Sequence, residues 1–312
     1  MMNIKYQLEF IQAIRNFFTG QDFIDVPVPP MVENPGMETH IHPFQLKSVY
    51  KNKELPLYLH TSPEFYMKRL LTEPALNNIF TIGHSFRDEP RSPIHREQFL
   101  MLEWYRKNVH YSKIMDDMEE LTKYLNNKFS SHTILNFERK TIRELFIETI
   151  NFHILDFLNT KELKLKIEKD FKDVPLPSSD CSWDDYFFLL FLNKVEPLLK
   201  EYSYLLLYEF PAPLAALSTI KENNPNVCER FEVYMDGIEI CNCFNELTNY
   251  HQQELRFNQQ AREKKNLYNY QLPRPEQFYN TLNKGLPMSA GIALGIERYF
   301  KVITQEDNCF FD

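Results

Sequence analysis

At 312 residues the chain is long enough for one large domain or two ordinary ones, and 43% hydrophobic residues supply a sizeable core. Thirty-five basic against 43 acidic side chains leave a formal net charge of −8, which argues against a broad nucleic-acid-binding surface while permitting a local basic patch. Cys181, Cys228, Cys241, Cys243 and Cys309 have no framework spacing, and Cys241-Asn242-Cys243 lacks a second ligand pair for zinc; reduced thiols in a cytoplasmic protein are expected. No targeting segment and no membrane span is expected.

Ile4, Leu8, Ile11, Ile14 and Phe18 recur at helical spacing, with Gly20 as the stop. Phe23 to Met31 reads as extended, because Pro27, Pro29 and Pro30 forbid a helix and suit an edge or interface strand. A strand-like PLYLH then leads into Thr61-Ser62-Pro63-Glu64, which opens a helix with Ser62 as N-cap and Pro63 in the first turn.

Asn78 to Tyr105 reads as two strands joined by a basic loop that contains His95. Side chains alternate along a strand, so Arg87 and Glu89 would share one face. Phe99, Met101, Glu103 and Tyr105 would share another, with Leu100, Leu102 and Trp104 packed behind. A cation, two carboxylates, an aromatic platform and a phenol on one surface can hold a nucleotide phosphate, a stacked base and an amine. The ordinary alternatives stand beside this. Phe99 and Tyr105 could be strand core, Arg87 and Glu89 a surface ion pair, and His95 a loop histidine. Glu103, flanked by Leu102 and Trp104, is harder to explain that way, because a buried carboxylate needs a partner.

Residues 110–205 carry helical patterns (KIMDDMEELTKYLNNKF, SWDDYFFLLFLNKVEPLLKEY) and read as a helical insertion or packing layer. Strand signals return at Tyr204–Phe210 and Phe231–Met235. Asp236-Gly237 is a two-residue hairpin signal that would pair Tyr234 with Glu239 and Val233 with Ile240. Glu232 and Glu239 become diagonal neighbours on one face, able to share a divalent ion or simply solvated. Residues 249–270 read as a polar, exposed helix. Ser289 to Arg298 reads as a small-residue strand running into a helix. Gly291, Ala293 and Gly295 share a face that something can approach closely, and Arg298 follows at the junction.

Together these segments resemble a class II aminoacyl-tRNA synthetase catalytic domain: Pro29 its motif 1, Phe86-Arg87-Asp88-Glu89 with His95 and Phe99 its motif 2, and Gly291 with Gly295-Ile296-Glu297-Arg298 its motif 3. Ser62-Pro63-Glu64-Phe65-Tyr66-Met67-Lys68-Arg69-Leu70, Glu103-Trp104-Tyr105 and Gly237 to Leu247 resemble elements of the lysyl branch. The pattern starts almost at residue 1 and leaves no room for an N-terminal anticodon-binding barrel, so one catalytic domain over 1–312 is expected. Ser62 stands where lysyl synthetases have alanine, and Ala293 where they have glycine. In these respects the chain resembles the ligases that attach (R)-β-lysine to elongation factor P.

The resemblance implies an α+β fold, an antiparallel sheet flanked by helices, in a homodimer. It implies ATP-dependent activation of a lysine-type amino acid as its adenylate, and transfer to a lysine of elongation factor P. Arg87 and Arg298 would be catalytic and bind ATP, together with Glu89, His95, Phe99, Glu239 and Asn242. Ser62, Glu64, Glu103, Tyr105, Asn242, Glu246 and Ala293 would bind the amino acid, and Glu232 and Glu239 would hold Mg²⁺. Arg96, Gln98, Cys241, Cys243 and Glu297 depart from the family's wording. Two other readings remain: an adenylate-forming enzyme charging tRNA or a carrier protein, with tRNA disfavoured by the charge, and a non-catalytic synthetase paralogue.

Overall fold

The apolar spacing at the N-terminus produces helix α1 (Ile4–Thr19), ended as expected at Gly20. The further helices are α2 (Glu64–Leu70), α3 (Tyr111–Phe129), α4 (Ile142–Ile150), α5 (Thr160–Asp170), α6 (Trp183–Leu190), α7 (Tyr250–Tyr268), α8 (Glu276–Asn283) and α9 (Ile296–Thr304). The strands are β1 (Ile24–Asp25), β2 (Met31–Val32), β3 (Gln45–Ser48), β4 (Lys53–Leu59), β5 (Asn78–Phe86), β6 (Gln98–Lys107), β7 (Glu138–Thr141), β8 (Leu205–Pro211), β9 (Val227–Met235), β10 (Ile238–Asn245) and β11 (Ser289–Gly295). This computed structural model describes residues 4–130, 137–177 and 181–306. Cys309 and the parts of the 110–205 region at 131–136 and 178–180 lie outside the described residues. Among the described residues no helix is long and apolar enough to cross a membrane.

The chain divides into two compact units, Met1–Ser131 with Glu246–Asp312, and His132–Asn245. In the first, β5 and β6 pair antiparallel, β11 pairs antiparallel with β6, and β1 runs parallel to β5 on the other side. A small antiparallel sheet, β2-β4-β3, belongs to the same unit. Leu102 and Trp104 of β6 are fully buried, and Phe18 of α1 lies 5.0 Å from Trp104 and 5.1 Å from Phe80, ring centre to ring centre. The alternation along β6 therefore holds. The even-numbered face packs on helices, which leaves Phe99, Met101, Glu103 and Tyr105 on the other.

Two local expectations need correction. The residue at the N-cap of α2 is Pro63, not Ser62; Ser62 lies one position earlier, and its hydroxyl accepts from the Glu64 N–H at 3.4 Å. Strand β5 ends at Phe86, so Arg87 to Glu89 lies beyond the regular strand. The Arg87 N–H still reaches the Glu97 carbonyl (2.9 Å), but the Asp88 N–H is drawn away to the His42 carbonyl (2.7 Å).

In the second unit the strands run β10-β9-β8-β7, antiparallel except β7 with β8. β7 was not read from the sequence; its Thr141 closes a capping box with Glu144 at the start of α4. Phe146, Phe187 and Phe191 stack among the buried side chains of α4, α6 and the turn that follows. Asp236 and Gly237 both have positive φ (50° and 78°), as a tight two-residue hairpin requires. Tyr234 pairs with Glu239 as expected, but Val233 pairs with Cys241, not Ile240. The extra residue is a bulge, which shifts the alternation by one. Glu239 and Asn242 thereby fall on the same face, opposite Tyr234 and Glu232 respectively.

The small residues of β11 have a specific neighbour. A Cβ on Gly291 would lie 2.0 Å from Cε1 of the buried Tyr105 ring, which has no slack to move. Gly291→Ala is expected to destabilise the protein by about 1–3 kcal/mol in chemical denaturation; an unchanged midpoint would show that the ring is not confined there.

Candidate active site

The first turn of α2 places Glu64 and Lys68 four residues apart on one helix face. The Lys68 Nζ lies 2.5 Å from Glu64 Oε1 and 2.6 Å from Glu246 Oε2. The Lys68 and Glu246 side chains are each only 1% exposed. Glu246 is held by its backbone, whose N–H donates to the Ser289 carbonyl at 2.9 Å. From β6, Glu103 is fully buried and accepts a 3.0 Å hydrogen bond from the Tyr105 hydroxyl on Oε2. Glu103 Oε1 and Glu246 Oε1 meet no hydrogen-bond donor among the described residues. Ala293 pairs with Glu103 and Gly291 with Tyr105, so β11 brings little bulk beside these groups.

Two carboxylates thus share one ammonium, and a third, Glu103, lies within its field. Burial, then the nearby Glu64, pushes the Glu103 carboxyl well above the usual carboxylate range. Burial raises Glu246 to about 8 against the pull of Lys68. Burial opposes the Lys68 charge as well, but Glu246 and Glu64 outweigh it and hold the ammonium above the ordinary lysine range. The Tyr105 phenol is raised by burial and then by Glu103, and so stays a hydrogen-bond donor. Such a pocket calls for further positive charge and further donors.

The second group of predicted residues also gathers within the first unit. The Arg87 guanidinium lies 5.3 Å from the Phe99 ring centre, and its buried Nε meets no acceptor among the described residues. Arg87 and Glu89 form no ion pair, which removes that alternative. Glu89 is half-buried. In the loop, Ser92 and His95 bridge antiparallel, with the Ser92 hydroxyl 2.7 Å from His95 Nδ1. Burial and then Arg298 keep the imidazole below the usual histidine range. Arg298, in the first turn of α9, donates from Nε to the Ile94 carbonyl at 3.3 Å. Glu297 beside it accepts from the Leu100 N–H at 2.7 Å, and burial raises its carboxyl to about 7. This bond ties the start of α9 to the start of β6. Two arginines, an aromatic face and an acceptor carboxylate form a surface suited to a nucleotide.

In the second unit, Glu232, Glu239 and Asn242 share a face of the β9–β10 hairpin. Glu232 is ion-paired with Arg230 and accepts from the Tyr234 hydroxyl at 2.7 Å. Asn242 Oδ1 is buried and meets no donor among the described residues. Two carboxylates and an orphaned amide oxygen fit a hard divalent cation. Among the described residues no group of three His, Cys, Asp or Glu side chains could hold a metal, so the ion would draw further oxygens from a bound phosphate.

Sequence reading missed Lys68 as part of the site. Its signal was present, since a glutamate four residues before a lysine on a helix invites a pair, but spacing says nothing of burial. Lys68→Met should strand Glu64 and Glu246 without a cation. A loss of about 3–5 kcal/mol in urea denaturation is expected, partly recovered in Lys68→Met with Glu246→Gln; wild-type stability in the single variant would mean that the acids do not need the ammonium.

Comparison with known proteins agrees with this geometry. The family model described as tRNA synthetases class II (D, K and N) matches residues 1–309. An elongation factor P–(R)-β-lysine ligase of Hamiltonella defensa subsp. Acyrthosiphon pisum is 32% identical over 98% of this chain and 92% of its own. The protein of that name from Vibrio cholerae is 33% identical over the same shares, and that from Yersinia enterocolitica is 34% identical over 95% of this chain and 89% of its own. An α+β fold with largely antiparallel strands, a buried acidic pocket and a paired-arginine surface thus coincide with sequence similarity along nearly the whole chain, and the protein belongs to the class II tRNA synthetase family, in its elongation factor P–(R)-β-lysine ligase branch.

Proposed function

We propose that the protein activates (R)-β-lysine, or lysine, with ATP as an aminoacyl-adenylate and transfers it to a lysine side chain of elongation factor P. The observation that carries this reading is the pocket of Glu64, Glu103 and Glu246 around Lys68, with carboxylate oxygens on Glu103 and Glu246 that no donor among the described residues meets. A substrate bearing two ammonium groups supplies what that pocket lacks. The names of the relatives support the same substrate and acceptor.

In the first step a substrate carboxylate oxygen attacks the α-phosphorus of ATP, and pyrophosphate leaves with the bonding electrons. Arg87 meets the carboxylate and α-phosphate. Phe99 stacks on the adenine and Glu89 accepts from its amino group. Arg298 and His95 face the outer phosphates, and Glu239 and Asn242 complete the nucleotide contacts. Glu64, Glu103, Tyr105 and Glu246 receive the amines, with Ser62 and Ala293 at the pocket wall. These groups act by position and charge, with no covalent step on the protein. Mg²⁺, held by Glu232 and Glu239, would neutralise phosphate charge. In the second step the ε-amine of the acceptor lysine attacks the acyl carbon, AMP leaves, and the nitrogen loses a proton to give the amide. A net charge of −8 favours a protein acceptor over tRNA. A homodimer through the Pro29 segment belongs to the same proposal, supported by the neighbouring apolar Met31, which is 53% exposed.

Elongation factor P incubated with the enzyme, ATP and (R)-β-lysine should gain one lysyl residue by mass spectrometry. Arg87→Ala should slow the reaction about 10²-fold or more; no mass gain with wild-type enzyme, or full activity in the variant, would refute the reading.

The raised carboxyls give a pH signature. Burial raises the Glu246 carboxyl from its ordinary value of 4.5 to about 8. Its contribution to stability is therefore present below about 4.5 and fades as pH rises toward 8. An ammonium ligand prefers the ionised carboxylate, so lysine binding near pH 7 should release protons and tighten as pH approaches 8. Calorimetry in buffers of different ionisation enthalpy reads this directly, and proton uptake or no exchange would contradict it.

A further inference from the structure

Glu38 is an acid that neither the motifs nor the named relatives single out, and it lines one cavity with Ser62 and Glu64. Its carboxyl rests over Gly36, whose φ of +141° suits glycine. A Cβ at that position would lie 2.4 Å from Glu38 Oε2 and 3.2 Å from the Thr61 hydroxyl. Glycine at 36 thus makes room for this carboxyl beside Thr61 and Ser62. The segment that carries it is pinned from several sides. Thr39 donates to Glu263 at 3.3 Å, and Lys264 donates from Nζ to the Ile41 carbonyl at 2.8 Å. The His42 carbonyl accepts from the Asp88 N–H, next to Arg87.

Charge accounting gives this acid a purpose. Lys68 serves Glu64 and Glu246. Glu103 and Glu38 are then the two pocket acids with no cation at ion-pair distance among the described residues. A lysine-type substrate brings two ammonium groups, one far from its carboxylate and one near it. The geometry points to Glu38 as a fourth acid of the amine pocket, which takes the amine nearer the substrate carboxylate and so selects where along the chain that amine sits. Burial and then Glu64 raise the Glu38 carboxyl, while its own backbone N–H and then Arg87 pull it down. Glu38 therefore lies within the field of both the amine-binding acid and the arginine assigned to the carboxylate.

This role rests on the proposed lysine-type substrate, and the test separates the two. (R)-β-lysine and L-lysine carry the near amine; 6-aminohexanoate has the carboxylate and the far amine only. Dissociation constants by calorimetry and KM by ATP–pyrophosphate exchange are compared for wild type, Glu38→Gln and Glu38→Asp. Glu38→Gln should shrink the wild-type preference for a lysine isomer over 6-aminohexanoate about tenfold or more, chiefly through KM, while Glu38→Asp restores part of it. A preference unchanged in Glu38→Gln, or equal weakening toward both ligands, would overturn the role of Glu38. Wild-type protein that binds neither lysine isomer would instead overturn the underlying substrate assignment, and this proposal with it.

Discussion

Burying a carboxylate away from water is costly unless a cation or hydrogen-bond donors meet it. Here Glu64, Glu103 and Glu246 are gathered about one ammonium, Lys68, and carboxylate oxygens on Glu103 and Glu246 are left without a donor. The protein carries this imbalance in its fold. It is tolerable because burial raises Glu103 and Glu246 toward their neutral forms, and because Lys68 stays charged between Glu64 and Glu246. The same imbalance is an affinity for a ligand with more than one ammonium. Stability and recognition are therefore linked through the same few side chains.

The rest of the first unit keeps that cluster and the arginine surface in place. β6 carries Glu103 and Tyr105 on one face and the buried Leu102 and Trp104 on the other, so the helix-packed core fixes the site. Gly291 lets the Tyr105 ring lie against β11. Glu297 fastens the first turn of α9, which holds Arg298, to the backbone of Leu100 next to Phe99. The His42 carbonyl holds the Asp88 N–H, directly after Arg87. These contacts hold residues of the site against neighbouring segments of the first unit, which is how preorganised sites limit reorganisation during the reaction.

What could be read in advance followed from local rules. The alternation along β6, the Asp236-Gly237 hairpin and the small-residue strand before Arg298 all depend on short-range geometry, and all three are present. The failures have one physical origin. The end of β5 before Arg87 goes with a carbonyl far away in sequence, that of His42, and the burial of Lys68 with Glu246. The bulge between Glu239 and Cys241 had a trace in the consecutive apolar pair Ile240-Cys241, which breaks the alternation, but a period of two does not say which residue is the extra one. That bulge is what puts Asn242 on the face of Glu239 and Glu232.

The central claim is that the acidic pocket exists to hold a second ammonium group. ATP–pyrophosphate exchange with (R)-β-lysine and L-lysine, set against norleucine, tests it most directly, because norleucine keeps the chain length of lysine and lacks its far amine. The account predicts exchange with a lysine isomer and none above background with norleucine. Comparable exchange with norleucine, or none with either lysine isomer, would contradict it.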